Sequence, residues 1–215
     1  LKLLRQACDK YNIHLIADEI AVGFGRTGTM FAYEQSKITP DIVCLSKGIT
    51  GGYMTLSTIL TTDQIYDAFN DEYTKLNAFL HSHSYTANPI ACSAANATLD
   101  IFKNKDVVKK NKILSAHMTK CFESLKDHPH VSDVRQKGMV LAIELIKDKK
   151  RKIAYDWKER RGIRAYLHGL KNNVLMRPLG NVLYFMPPYV ITKKEISFVS
   201  EIMKEGVDEA TKKNS

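Results

Sequence analysis

His14-Leu-Ile-Ala-Asp18 and Asp41-Ile-Val-Cys-Leu-Ser46 are two short, mostly apolar runs, each ending in a polar residue. Runs of this length, bounded by turn residues, read as buried strands of the kind found in parallel sheets. Between them lie a glycine-rich turn, Gly23-Phe-Gly-Arg-Thr-Gly28, and one or two helical turns over 30–36, with Pro40 ending the connection. Ahead of the first run, Leu1, Leu3, Leu4, Ala7, Cys8 and Tyr11 recur at helical spacing. Helix, strand, crossover, strand is the grammar of a parallel α/β sheet. Ligands of such sheets sit beyond the carboxyl ends of the strands. Asp18 and Lys47 stand at those ends.

Farther along, 54–61 reads as a strand and 62–69 as a helix with Thr62 or Asp63 as its cap. Residues 70–84 read as polar loop. Asn88 caps, and Pro89 opens, a helix through Phe102 that is rich in small residues. A long helix covers 106–126 and ends before Pro129. Strands over 131–134, 140–146 and 182–186 then mix with helices over 157–172 and 193–210. The expected organisation is 1–103 as part of a large α/β domain, 104–130 as a connecting helix, and 131–215 as a small α+β domain.

Composition sets outer bounds. The chain has 215 residues, 44% hydrophobic and 26% charged, which excludes a disordered or collagen-like chain. No apolar run approaches the roughly 18–20 residues that span a bilayer, so no membrane association is expected. The opening stretch lacks a signal peptide's apolar core, which points to the cytoplasm. Cys8, Cys44, Cys92 and Cys121 are widely spaced without a Cys-x-x-Cys pair and read as free thiols. The net charge of +9 is uneven: residues 1–100 sum to −3 and residues 101–215 to +12. Such asymmetry can mark nucleic-acid binding. The densest block, 147–152, has no interleaved aromatics and reads as a solvated loop.

Several patterns compete for the chemistry. Gly23, Gly25 and Gly28 satisfy G-x-G-x-x-G, yet Glu19 to Val22 separate them from the strand, which argues against a dinucleotide site. The strand ending in Asp18-Glu19 resembles a magnesium-holding NTPase strand, but no G-x-x-x-x-G-K-[ST] accompanies it. His81 and His83 form too small a set for a metal. Asp18 with Lys47 is the stronger constellation. A lysine beside Val43, Cys44 and Leu45 is expected to be poorly solvated, which favours the neutral, nucleophilic amine. A buried Asp18 then needs a cationic partner. Neighbouring strands lie about 4.8 Å apart, comparable with the span of a pyridine ring carrying an aldehyde. A lysine Schiff base and a carboxylate on the pyridinium are what pyridoxal phosphate requires. The plain alternative is a Lys–Asp salt bridge. Ser84, Thr86 and the backbone amides before Pro89 suit a phosphate, because a helix N-terminus offers free N–H groups; a simple capping loop is the alternative. Arg177, before Pro178 and a strand, is suited to clamp a carboxylate, or to form a surface ion pair.

Ile16-Ala-Asp-Glu-Ile-Ala-Val-Gly-Phe-Gly-Arg-Thr-Gly28 followed by Pro40-Asp-Ile-Val-Cys-Leu-Ser-Lys-Gly48 resembles the signature of the class III pyridoxal-phosphate aminotransferases. Gly51-Gly-Tyr-Met-Thr-Leu-Ser57, His83-Ser-Tyr-Thr-Ala-Asn-Pro89, and the segments at Met176-Arg-Pro178 and Leu183-Tyr-Phe-Met-Pro-Pro-Tyr189 are similar to the branch of that class serving biotin synthesis. The resemblance runs from end to end. It implies the type I fold of pyridoxal-phosphate-dependent transferases, a homodimer with shared active sites, and amino transfer onto a keto acid with S-adenosylmethionine or lysine as donor. It implies Lys47 as the residue joined to the cofactor, Asp18 on the pyridinium, and Ser84, from the adjacent subunit, on the phosphate. Ser84 stands where the family usually has Thr. Arg177, Tyr184 and Gly48 are implied near the substrate, with no metal; Arg26 lies in the signature turn without an assigned role. The family's subunit is about twice this length, so the chain corresponds to the carboxyl-terminal half. Rival readings are an ω-amino acid or diamine aminotransferase, such as one acting on ornithine or 4-aminobutyrate, a basic nucleic-acid-binding module, and a non-catalytic fragment that supports a dimer interface.

Overall fold

In a computed structural model the chain is described over residues 1–212. It divides into two compact units, Leu1–Val108 and Lys109–Ser215.

The first unit opens with α1 (Lys2–Tyr11), which stops where Asn12 turns into the left-handed region. β1 (Ile16–Asp18) pairs in parallel with β2 (Ile42–Leu45), placing Ala17 opposite Val43 and Asp18 opposite Cys44. β3 (Thr58–Thr61) pairs antiparallel with the other edge of β2, giving the order β1-β2-β3. Only the last four residues of the expected 54–61 strand join this sheet. The crossover contains a 3-10 turn over Ala32–Ser36. α2 (Asp63–Asp67) is capped by the Thr62 side chain, which accepts from the Ile65 N–H. α3 (Pro89–Asn104) begins on Asn88, whose Oδ1 accepts from Ile90 and Ala91.

The core of this unit gathers Phe24, Val43, Leu45, Ile49 and Ala95, with Ala17 packed against them. Successive strand side chains alternate between faces. Ala17, Val43 and Leu45 therefore share the covered face, and Ile16, Asp18, Ile42 and Cys44 share the other. α1 is tied to the strands by Asp41, which accepts from Arg5 Nη1 and the Leu15 N–H, both at 2.7 Å. Those donors, the backbone N–H first, hold the Asp41 carboxyl below the usual carboxylate range.

α4 (Val107–Phe122) carries Leu114, Met118 and Phe122 into the core of the second unit. The expected helix over 106–126 gives way after Phe122 to a 3-10 turn, Glu123–Asp127. β4 (Val131–Lys137) and β5 (Val140–Leu145) form a hairpin. Along β5, Leu141, Ile143 and Leu145 are buried in alternation. α5 (Arg161–Lys171) follows a separate 3-10 turn, Trp157–Glu159, because Arg160 between them is left-handed. β6 (Arg177–Leu179) and β7 (Val182–Phe185) complete an antiparallel sheet ordered β4-β5-β7-β6. β6 was not expected from the sequence. Proline lacks the N–H of a ladder and is tolerated on an edge strand, and Pro178 sits on one. α6 (Lys193–Thr211) starts with a capping box between Thr192 and Glu195 and packs on α5. The last three residues of the expected 131–215 domain lie outside the described residues.

Candidate active site

The parallel register sets the geometry of the first unit's site. Asp18 closes β1 opposite Cys44, and Lys47 follows Cys44 by three positions, so the two groups stand at the carboxyl ends of neighbouring strands. Neither is buried, contrary to the expectation from their apolar surroundings. β1 is an edge strand, and the alternation points Asp18 away from the face that Phe24 and Ala95 cover. Its Oδ1 accepts from the Ile20 N–H at 3.0 Å. Lys47 has no ion-pair partner among the described residues, so the Lys–Asp salt bridge is not formed.

The buried carboxylate is instead Glu19, 3% exposed. It accepts the N–H groups of Ala32 and Tyr33, each at 2.9 Å, while its own N–H donates to Cys44 O. Burial, aided by Glu34 and Glu19, pushes the Tyr33 phenol up. Glu19 thereby ties the end of β1 to the start of the 3-10 turn. Gln35 Nε2 closes the glycine-rich turn through Thr27 and Thr29. Arg26 lies in that turn, its N–H donating to Gly23 O.

Two backbone features shape the Lys47 segment. Lys47 is left-handed at φ 45°, as is Phe24 at φ 53°. A non-glycine residue persists there when its surroundings over-determine it. Gly48 packs against Phe24: a Cβ on Gly48 would lie 2.8 Å from Phe24 Cδ2. Glu19 and Phe24 were not singled out from the sequence. The doubled acid at the strand end was the available signal for Glu19; none marked Phe24.

Ser84 lies exposed in the turn before α3. In that turn His83 N donates to Thr86 Oγ1, and Tyr85 N donates to His83 Nδ1. The first helical amides of α3, at Ile90 and Ala91, donate to Asn88 Oδ1. The hydroxyl of Ser84 remains the available donor. His81 stacks on Phe79, and no group of three or more His, Cys, Asp or Glu suited to a metal occurs among the described residues.

In the second unit, Arg177 and Tyr184 are direct cross-strand partners on β6 and β7. Residues directly opposite on an antiparallel pair project to the same face. Both line a groove of about 500 Å³ with Phe185, Met186, Glu195 and Phe198. Arg177 is exposed and Tyr184 half-buried. The basic block 147–152 forms a turn after β5, closed by a bridge between Asp148 and Ile153; Lys147 pairs with Glu159 and Arg151 with Asp148. A buried arginine that the sequence did not announce, Arg161, pairs with Glu159 at 2.6 Å, donates to Ala210 O, and lies 4.6 Å from the Tyr155 ring centroid.

Asp18 and Lys47 form an acid-and-amine pair on adjacent strand ends with no mutual salt bridge. That donor set fits pyridoxal phosphate, which needs one group for its ring nitrogen and one amine for its aldehyde.

The family described as Aminotransferase class-III matches residues 1–207. The chain is 46% identical over 213 residues to the adenosylmethionine-8-amino-7-oxononanoate aminotransferase of Geobacter sulfurreducens, covering 98% of this chain and 47% of the relative. The crystal structure of the enzyme of that name from Methanocaldococcus jannaschii superposes with a TM-score of 0.92 at 40% identity, covering 96% of this chain and 48% of that one. An omega transaminase from Pseudomonas jessenii in complex with PMP superposes at 0.91 with 28% identity, covering 98% and 46%. The chain thus spans about half the length of the proteins it matches. Its mixed α/β fold is the one those transaminases share, and with a match over nearly its whole length, this chain belongs to the class III aminotransferases.

Proposed function

We propose that this chain is the cofactor-joining half of a pyridoxal-phosphate transaminase that converts 8-amino-7-oxononanoate to 7,8-diaminononanoate in cytoplasmic biotin synthesis. S-adenosylmethionine is the amino donor in this reading. The observation that carries it is the placement of Asp18 and Lys47 on adjacent parallel strand ends, in a chain 46% identical to a relative of that name. When bound, the cofactor supplies an electron sink for breaking the C–H bond at the amine-bearing carbon.

The residues divide the remaining work. Lys47 Nζ would hold the cofactor at rest and, as the free amine, would carry the proton taken from that carbon. The Asp18 carboxylate keeps the ring nitrogen protonated. The Ser84 hydroxyl donates to a phosphate oxygen bound by the adjacent subunit. Arg177 presents paired N–H groups to the substrate carboxylate, Tyr184 closes the same face, and Gly48 lies near the substrate beside Lys47. The homodimer is supported by exposed Tyr53, Tyr73, Leu76, Phe79, Leu80 and Tyr85, an apolar set of the kind that marks interaction surfaces. The cytoplasmic reading is supported by four free cysteines; no helix among the described residues is long and apolar enough to cross a membrane. The domain reading stands beside it: 1–103 in the large domain, 104–130 connecting, 131–215 in the small domain.

Borohydride reduction of the full-length, cofactor-loaded protein, followed by peptide mapping, tests the site. A single label on Lys47 is expected, and a label on another lysine overturns the assignment. Turnover with 8-amino-7-oxononanoate tests the substrate, with S-adenosylmethionine and lysine compared as donors. The likeness to an omega transaminase favours a second reading, an ω-amino acid or diamine substrate. Turnover of ornithine or 4-aminobutyrate without turnover of the oxononanoate would establish it.

A further inference from the structure

Phe24 and Lys47 belong to different segments, yet the structure couples them through Gly48. A Cβ built on Gly48 would lie 2.8, 2.9 and 3.0 Å from Phe24 Cδ2, Cβ and Cγ, distances that real Cβ atoms do not tolerate at the near end. The Phe24 ring cannot retreat. It is 3% exposed, edge-on to Phe31 at 5.8 Å and tilted against Phe102 at 6.2 Å. Behind it lie Leu45, Ile49 and Ala95 of the same core. On the other side of Lys47, Ser46 is fixed by its hydroxyl, which donates to Leu56 O at 2.7 Å. Ile49 N bonds back to Ser46 O, and Gly51 N to Gly48 O. Lys47 is thus a left-handed residue clamped between two pinned neighbours, and one of the two clamps is an aromatic ring from the glycine-rich turn.

We propose that Phe24 is a positioning residue for Lys47: by pressing on the Gly48 α-carbon it fixes the left-handed backbone of Lys47, and so the direction from which the amine is presented. The role in catalysis rests on the function proposed above. The steric coupling of Phe24 to Gly48 does not. The same reasoning explains why the position after Lys47 is glycine although its neighbours Leu45 and Ile49 are bulky. Any side chain there displaces either the ring or the lysine's own peptide.

The test uses the full-length holoenzyme as wild type and as Gly48→Ala, Phe24→Ala and the double variant. Three readings are taken: the half-reaction rate with amino donor, the pH midpoint of the bound cofactor's absorbance change, and the thermal midpoint. Gly48→Ala is expected to slow the half-reaction roughly ten- to hundred-fold, the scale of a misplaced reacting group, and to move the absorbance midpoint. Removing the ring in the double variant takes away the Cδ2 and Cγ contacts and is expected to restore part of both. A merely structural contact lowers the thermal midpoint and leaves the absorbance midpoint in place, and that result overturns the proposal. So does a double variant no better than Gly48→Ala. If Gly48→Ala does not fold, Phe24→Ala carries the test, through a moved or unmoved absorbance midpoint. Borohydride mapping of the wild type separates the two levels. A label away from Lys47 rejects the proposed function, whereas a label on Lys47 with an unmoved midpoint in the variants rejects only the positioning role.

Discussion

The carboxylate of Glu19 accepts the backbone N–H of Ala32, thirteen positions along the chain, at 2.9 Å, and takes the adjacent N–H of Tyr33 at the same distance. One buried side chain thereby sets the path of the whole glycine-rich turn between β1 and the 3-10 segment. Glu19→Gln keeps one acceptor oxygen and turns an amide donor toward a backbone donor. Leaving a buried N–H unpaired costs about 1–3 kcal/mol. Urea unfolding should register that loss, and hydrogen exchange should show the Ala32 and Tyr33 amides losing protection. An unchanged exchange pattern would contradict the role given to Glu19.

Gly162 lies where α5 crosses β6. A Cβ there would sit 2.4 Å from Gly180 O and 2.5 Å from Pro178 Cβ. One obstacle is backbone and the other a rigid ring, so neither can swing aside. Overpacking of this kind costs about 1–3 kcal/mol. Gly162→Ala should lower the thermal midpoint of the protein by several degrees, as measured by circular dichroism.

Acid should destabilise the fold through two carboxylates. Asp41 is held below its ordinary range by the Leu15 N–H and then by Arg5. Glu159 is held below its range chiefly by the Arg161 guanidinium, with Lys147 adding attraction. A group whose folded-state value is depressed binds its proton more readily when unfolded. Its stabilisation is full above the unfolded value, about 4 for Asp or Glu, and is lost as pH falls through the lower folded value. The urea midpoint should stay level from neutrality to near pH 5 and decline below it. Asp41→Asn should lower the neutral-pH plateau and make the acid decline shallower; an equally steep decline in the variant would remove Asp41 from the explanation.

Arg177 and Tyr184 stand directly across the β6–β7 ladder. Lysine at position 177 keeps the charge but loses the planar fork that matches a carboxylate. In the full-length protein Arg177→Lys should raise KM for the carboxylate substrate by about ten-fold, the order of one charge-assisted bond, with a smaller effect on kcat. Steady-state kinetics on both substrates decides it. A fall in kcat with KM unchanged would place Arg177 elsewhere in the reaction.

Local patterns in the chain were enough for much of this architecture. The apolar runs ending at Asp18 and Ser46 specify strands, the crossover between them is long enough to return the chain for parallel pairing, and Asn88-Pro89 starts α3 as a capped helix. Those signals are short-range, set by caps, turn residues and apolar runs close together in the chain. The placing of Asp18 and Lys47 at strand ends was legible for the same reason, but their exposure was not. Tertiary packing decided the rest. Whether Asp18 or Glu19 turns inward depends on which sheet face Phe24 and Ala95 cover. That β6 exists depends on an edge position where Pro178 lacks no partner. The seating of the Phe24 ring on Gly48 depends on two segments more than twenty residues apart meeting at one point. Side-chain burial and contact between distant segments are properties of the closed surface, and one-dimensional spacing carries no record of which side of a strand that surface will close over.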